Sequence, residues 1–368
     1  MKRHITVILM VALLIAVVLF FFVILKANPG PELTVATWTG SYGHAQASAQ
    51  MEPFARKSGA DVRIAFYDGG IGDVAEQVAD KAYRWDVIDM ELPDAEKACR
   101  AGLLERIDPA ILPYSPGGVR ASRDFLPGAV GRCWVASAVY SRVIAFDPRR
   151  FSDLQPKTLA DFFDTKKFPG PRALSKASPK YNLEMALLAD GVPPKAVYAT
   201  LSTPAGIERA LKKLDGIRGD ILWLDAGQSA AKAISERRAA FAAMMNGEVF
   251  DAMTGDIDLG IIWDRQLYEF DVFVIPRGDP RRALALDFIR YATGTETLGT
   301  LASWLPYGPT RISSRPFVHA NPDLNIIMTP FQPTANGRFA TAFAVDDAWW
   351  HENGSGVETI WKNWLAAQ

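Results

Sequence analysis

The chain has 368 residues, of which 49% are hydrophobic and 22% charged, with a formal net charge of −1. This composition can build hydrophobic cores, and the length suffices for two or three domains. Lysines and arginines are scattered among acids without a basic stripe, so we expect no nucleic acid partner. With four histidines and no Cys/His cluster of metal-binding spacing, we expect neither a metal site nor a cofactor.

The N-terminus carries the strongest local signal. Lys2 and Arg3 precede an uncharged apolar run at 5–25, which as a helix would extend about 31 Å, close to the thickness of a bilayer's hydrocarbon core. Secretory signals have a shorter apolar region and a small-residue cleavage site, which is not evident here. We therefore predict cytoplasmic residues 1–4, an uncleaved transmembrane anchor at 5–25 and a linker at 26–32, with a cleaved signal peptide as the alternative. The positive charges place the remaining chain on the periplasmic side of the inner membrane.

The segment after the linker has a βαβ pattern. Strands are predicted at 33–37 and 61–67, with a polar, Gly-containing turn and a helix-compatible segment between them. Ligands of open α/β sheets bind beyond the carboxyl ends of the strands. Trp38 and Tyr42 follow the first strand and are therefore candidate ligand-binding residues. The alternative is that Trp38 only covers the core.

The chain contains two cysteines, Cys99 and Cys133. In an exported domain an even pair can form a disulfide, which we predict here. Two buried free thiols are the alternative.

Further along the chain, strand-like runs alternate with helical patterns. Thr158 and Thr203 are predicted helix N-caps, and Pro204 favours the first turn of the second of these helices. Beyond a buried strand at 270–276 the chain is mainly helical. The alternation predicts an α/β protein with mixed sheets.

A long central block between two sheet-like ends indicates that a second domain is inserted in the first. We assign 33–142 and 274–368 to lobe 1 and 143–273 to lobe 2. The chain would cross between the lobes near 143–147 and 268–276, so strands there would form a hinge beside a cleft.

We find no signature of an enzyme. The sequence lacks a G-x-S-x-G elbow, a P-loop and a GxGxxG fingerprint, and no acid, base and nucleophile occur at a recognisable spacing. What remains is a set of aromatic, carboxylate and amide side chains at loop positions, where rings and carboxylates together are typical of an ammonium-binding site. Packing and helix capping are the alternative roles. The set comprises Trp38, Tyr42, Glu91, Asp225, Gln228, Asn246, Glu269, Asp271 and Tyr307.

Three segments, "DTKKFPGPRAL", "EFDVFVIP" and "YGPT", occur together in this chain. Jointly they resemble the solute-binding proteins of ABC transporters, in the polyamine (spermidine/putrescine) branch. The resemblance implies the two-lobed type II periplasmic-binding-protein fold, whose α/β lobes are joined by hinge strands and close on a ligand. It implies delivery of that ligand to a membrane permease, and no enzymatic activity.

The resemblance also assigns roles to residues. Trp38 matches the aromatic residue that lines the amine pocket, and Asp271 matches the acid on the returning hinge strand. Asn246 matches the family's Asn-Gly pair, but Met245 stands where an aromatic ring is expected. Two acids expected on the inserted lobe fall near two neutral residues, Ser178 and Tyr181. These differences argue against spermidine and leave a smaller or different organic solute open.

We therefore expect a monomeric substrate-binding component of an ABC importer that captures a polyamine or a related small organic cation. A membrane-anchored extracytoplasmic sensor or regulatory subunit with the same fold is the alternative. A degenerate enzyme is a third possibility, which the missing nucleophile argues against.

Overall fold

The computed structural model describes residues 30–151, 153–335 and 337–367. The anchor predicted at 5–25 lies outside these residues. Among the helices that are described, none combines the length and the apolar character needed to span a bilayer. The strands are β1 (Glu32–Thr37), β2 (Asp61–Phe66), β3 (Val87–Glu91), β4 (Val135–Phe146), β5 (Arg172–Ser175), β6 (Ile221–Leu224), β7 (Phe241–Met245), β8 (Gly260–Val274) and β9 (Phe343–Ala344).

The α-helices lie between these strands and after them. They are α1 (Ser41–Gln46), α2 (Glu52–Ser58), α3 (Gly72–Asp80), α4 (Leu92–Arg100), α5 (Ala121–Asp124), α6 (Leu159–Phe163), α7 (Asn182–Ala189), α8 (Val197–Leu201), α9 (Pro204–Asp215), α10 (Ala230–Ser235), α11 (Asn246–Thr254), α12 (Arg282–Ala292), α13 (Thr295–Trp304) and α14 (Asp347–Ala366). A π-helical turn, Ala47–Met51, joins α1 to α2.

The strands are hydrogen-bonded in the order β2-β1-β3-β8-β4-β7-β5-β6, with β9 beside β8. Parallel pairs join β1 to β2 and β3, and other parallel pairs join β5 to β6 and β7. Two long strands, β4 and β8, run antiparallel between these halves. The α/β class with a mixed sheet is confirmed.

The two halves of the sheet have separate hydrophobic cores, so the molecule has two lobes. Along β4, Val139 belongs to the first core and Ile144 to the second. Along β8, Phe270 belongs to the first core and Leu267 to the second. The chain thus passes between lobes on two paired strands, which is the arrangement of a hinge.

Side-chain caps begin two helices of the second lobe as predicted. Thr158 accepts a hydrogen bond from the Asp161 amide at the start of α6, and the Asp161 carboxylate bonds back to the Thr158 amide. Thr203 accepts from the Gly206 amide at the start of α9, where Pro204 occupies the first turn. These bonds satisfy amides that have no partner within a helix.

The final helix, α14, differs from the predicted division into lobes. Residues 274–368 were assigned to lobe 1, yet Val357 and Trp361 of α14 are buried in the second core. The Trp361 indole also donates to the carbonyl of Lys176, at 3.0 Å. An apolar helix face packs wherever a complementary surface is available, and its position in the sequence does not select the lobe.

Cys99 and Cys133 form a disulfide in the core of the first lobe, with their Cα atoms 6.0 Å apart. The bond joins α4 to the segment just before β4, across 34 residues of chain. The predicted disulfide is therefore present, and the alternative of two free thiols is wrong.

Candidate functional site

A cavity of about 550 Å³ lies between the lobes. Five residues predicted as ligand-binding line it, namely Trp38, Tyr42, Glu91, Asp271 and Tyr307. The other lining residues are Thr39, Ser41, Tyr67, Asp68, Tyr140, Met245, Gly247, Glu248, Asp251, Leu305 and Pro306. This volume suits a small organic molecule.

The first lobe contributes residues from the carboxyl ends of three neighbouring strands. Trp38 follows β1, Tyr67 follows β2, and Glu91 is the last residue of β3. Because β1 is parallel to both of its neighbours, these ends meet at one edge of the sheet. The sequence-based prediction of a ligand site assumed this parallel arrangement, in which strand ends lie together at one edge of the sheet.

Aromatic rings form the walls of the cavity. The ring centroids of Trp38 and Tyr67 are 5.2 Å apart. Tyr307 lies 5.8 Å from Tyr42 and 6.1 Å from Tyr140, again between centroids. The face of an aromatic ring attracts an ammonium group, so these walls favour a cationic ligand group.

Acidic side chains from neighbouring strands cluster next to these aromatic rings. Asp271 lies directly opposite Glu91 in the pairing of β8 with β3. Asp89, two residues before Glu91, is fully buried and accepts hydrogen bonds from Gln46 Nε2 at 2.6 Å and Ser137 Oγ at 2.8 Å. Asp271 is 5% exposed. No lysine or arginine of the described chain forms an ion pair with Asp271.

This clustering disfavours the ionised form of each acid. Burial, followed by the charges of Asp89 and Glu91, raises the pKa of Asp271 well above its usual range. Burial raises the pKa of Asp89 to about 6. Burial and the nearby Glu269 raise the pKa of Glu91. A cation bound between these acids would favour their ionised forms. The charges of the site therefore favour binding of an ammonium group.

Two basic side chains, Lys180 and Arg142, lie near Tyr140 but are not among the residues that line the cavity. Glu269 accepts hydrogen bonds from Lys180 Nζ and from Tyr181 Oη, each at 2.6 Å. The Arg142 guanidinium lies 4.3 Å from the centre of the Tyr181 ring. Arg142 is two residues after Tyr140 on β4 and therefore shares its face of the strand. The second-lobe residues that line the cavity itself include two acids, Glu248 and Asp251.

Asn246 links two segments of the chain beside the cavity. Its Oδ1 accepts from the Ser141 amide, and its Nδ2 donates to the Pro306 carbonyl, both at 2.8 Å. These bonds join hinge strand β4 to the segment that carries Tyr307. Glu269, although predicted as a ligand contact, is engaged by Lys180.

Asp225 and Gln228 lie away from the cavity. Asp225 forms an ion pair with Lys176 at 2.8 Å, and its side chain is 61% exposed. Gln228 Oε1 accepts from the Asp225 amide, which closes the loop on itself. Acids and amides in a polar, Gly-containing loop are also good turn formers, so residue type alone did not separate the two roles.

Sequence reasoning missed several residues of the cleft. Tyr67 was read only as a strand residue, and neither Tyr140 nor Lys180 was singled out. Asp89 offered a usable signal, because an acid in the middle of the apolar strand β3 must have a specific partner. For Lys180 no local signal existed, since its partner lies 89 residues further along the chain.

The chain belongs to the bacterial extracellular solute-binding protein family, whose model matches residues 49–326. It is 34% identical over 337 residues to the gamma-aminobutyric acid-binding protein of Pseudomonas aeruginosa PAO1, covering 91% of each chain. Both the family and this relative are solute-binding proteins, which supports a non-enzymatic role.

Solved structures agree with the two-lobed fold. The Atu4243-GABA receptor is 28% identical, with a TM-score of 0.70 over 90% of this chain and 97% of the other. A spermidine/putrescine substrate-binding protein from Streptococcus pneumoniae has the same TM-score of 0.70, over 91% and 99% of the two chains. Its identity is 14%, so this second likeness concerns the fold alone.

Proposed function

We propose that this protein is the substrate-binding component of an ABC importer for a small ω-amino acid, with γ-aminobutyric acid (GABA) as the leading candidate. The observation that supports it most is the acid pair Asp271 and Glu91, which faces an aromatic-walled cavity without a basic partner for Asp271. The relatives named for GABA support the same ligand class.

The ammonium of the ligand would bind between these acids and the surrounding rings. Trp38 and Tyr307 offer ring faces. Asp271 offers a carboxylate that is already buried in the folded protein, so ligand binding does not add the cost of removing it from water. The carboxylate of the ligand would point toward the second lobe. Arg142 on β4 is the cationic side chain best placed to receive it, because its Nε has no hydrogen-bond partner among the described residues.

A polyamine fits this arrangement less well than an ω-amino acid. Every charged group of a polyamine is cationic, and the basic side chains Arg142 and Lys180 lie next to the cavity, although the second-lobe acids Glu248 and Asp251 line it. Like charges brought together out of water repel strongly. We therefore propose a zwitterion, which has one charge of each sign, in place of the expected polyamine.

Isothermal titration of the purified protein tests the ligand class. GABA should bind, while butylamine, which lacks the carboxylate, and butyrate, which lacks the ammonium, should each bind at least about tenfold more weakly, because each loses one charged hydrogen bond. Putrescine and spermidine should also bind more weakly than GABA. Tighter binding of spermidine than of GABA would contradict the proposal.

In the cell the domain would present this cleft on the periplasmic side and deliver its ligand to a permease. The apolar run at 5–25 would hold it near the membrane surface. The anchor stays a prediction, and a cleaved signal peptide would leave the binding function intact.

A further inference from the structure

The hinge strand β8 carries two acids, of which Asp271 lines the cavity and Glu269 does not. Glu269 and Asp271 are two residues apart, so their side chains share a face and their backbones are separated by about 6.6 Å. Tyr140, which lines the cavity, is the strand partner of Glu269. Two carboxylates at this spacing match the two ammonium groups of a short diamine.

The two acids differ in their partners. Asp271 has no ion pair with any described residue, while Glu269 is held by Lys180 and Tyr181 at 2.6 Å each. Lys180 Nζ also donates to Asp347 at 2.7 Å. The side chains of Glu269 and Asp347 are 3% and 5% exposed, and that of Lys180 is 21% exposed.

We infer that Lys180 serves as a built-in cation that fills the second ammonium position of the cleft and so selects ligands with a single ammonium group. Its Nζ satisfies Glu269, which leaves the acids that line the cavity, Asp271 and Glu91 among them, to receive the ligand. A diamine would bring its second ammonium toward a position where a fixed ammonium already lies, and the two would repel. Lys180 is thus a specificity-determining residue.

The surrounding charges hold Lys180 in this role. Burial alone would lower its pKa, but Glu269 and Asp347 outweigh burial and raise the pKa above its usual value. The ring of Tyr181 lies 5.0 Å from Nζ, and Tyr181 adopts a positive φ of 71°. A non-glycine residue in this backbone region is costly and is maintained only where surrounding contacts require it.

This inference rests on the proposed capture of a small amine and adds its selectivity rule. The test measures the ratio of the dissociation constants for GABA and putrescine, by titration calorimetry of the full chain. Lys180→Gln should increase the relative affinity for putrescine at least about tenfold, because it removes one fixed charge beside the second acid. Since two acids would then lack their cation, Lys180→Gln with Asp347→Asn serves as a second variant with less residual charge.

Two controls separate selectivity from general damage. Lys176→Gln removes a lysine that pairs with Asp225 outside the cavity, and it should leave the ratio unchanged. Lys180→Gln combined with Glu269→Gln should cancel the gain, because the acid that receives the second ammonium is lost.

Three results would overturn the inference: a ratio that changes less than twofold in both Lys180 variants, a gain that survives Glu269→Gln, or an unaltered protein that already binds putrescine as tightly as GABA. If the proposed function is wrong, the unaltered protein will not bind GABA. Putrescine binding by the Lys180 variants would still decide the inference.

Discussion

Asp271 on β8 lies directly opposite Glu91 on β3, and both residues line the cavity between the lobes. Like charges in directly opposed strand positions destabilise a sheet. Burial increases the free-energy cost of ionising Asp271. No basic side chain among the described residues pairs with Asp271 to offset this cost. A bound ammonium group would remove this repulsion, which supports the proposed binding site.

Replacing Asp271 should change affinity and stability in opposite directions. Asp271→Asn should weaken binding of GABA by about 1–3 kcal/mol, because a charged hydrogen bond is lost. It should also leave the ligand-free protein equally or more stable, since a buried, repelled acid is removed. Calorimetric titration and urea denaturation measure the two effects. Asp225→Asn, on an exposed loop away from the cavity, is the matched control, and an equal affinity loss in both variants would contradict this role.

Ligand affinity should depend on pH through the same acids. An ammonium ligand favours ionised carboxylates, whereas burial raises the pKa of Asp89 to about 6 and raises that of Asp271 well above its usual range. Affinity should therefore fall as pH decreases through about 6, and binding near pH 7 should release protons. Titration at pH 5.5, 7 and 8, in buffers of different ionisation enthalpy, measures both. This linkage is excluded if the affinity does not change with pH and the binding enthalpy does not change with the buffer.

Glu184 should make the second lobe less stable as pH rises. It is fully buried, accepts from Trp350 Nε1 at 2.6 Å, and burial raises its pKa to about 7. An acid with a raised folded pKa contributes most below its unfolded pKa, near 4.5, and its contribution is lost as pH rises through about 7. Glu184→Gln keeps an acceptor for Trp350 and should gain about 2 kcal/mol relative to the parent between pH 5 and pH 8.

Urea denaturation of parent and variant at the two pH values checks this. Glu208→Gln replaces an acid on the outer face of α9 that is exposed to solvent and is the control. If Glu184→Gln leaves the pH dependence of unfolding unchanged, the buried carboxyl is not its source.

The disulfide should contribute strongly to the stability of the first lobe. It closes a loop of 34 residues, which by loop entropy is worth about 3–4 kcal/mol. Replacing both Cys99 and Cys133 by alanine should lower the free energy of unfolding by about that amount. Alkylation without reductant, followed by intact-mass measurement, should add no label to the parent. Two labels would show that the cysteines are free in the purified protein.

The apolar run at 5–25 should remain in the mature protein. About twenty apolar side chains would have to leave lipid for water, at about 25 cal/mol per Å² of apolar surface, so retention is favoured once the run is inserted. Carbonate extraction should leave the full chain in the membrane fraction, and its N-terminal peptide should include Lys2. A mature N-terminus near Ala27 would instead show a cleaved signal peptide.

Local sequence was sufficient for several of the elements and for part of the cavity lining. The helix caps at Thr158 and Thr203 follow from one or two residues and their neighbours, so a short window contains the relevant physics. Trp38 was found because it follows the first strand of a βαβ unit, where parallel sheets place their ligands. Asp271 was assigned through the family resemblance, and the strand register then placed it opposite Glu91.

Packing between distant segments decided the rest. Lys180 reaches Glu269 across 89 residues and Asp347 across 167, and no pattern near any of the three indicates the others. The last helix joined the second core for the same kind of reason, because Trp361 is buried where that lobe offers a complementary surface. Propensity and periodicity act over a few residues, whereas contacts between remote residues are selected by the mutual packing and charge of surfaces that exist only in the folded chain.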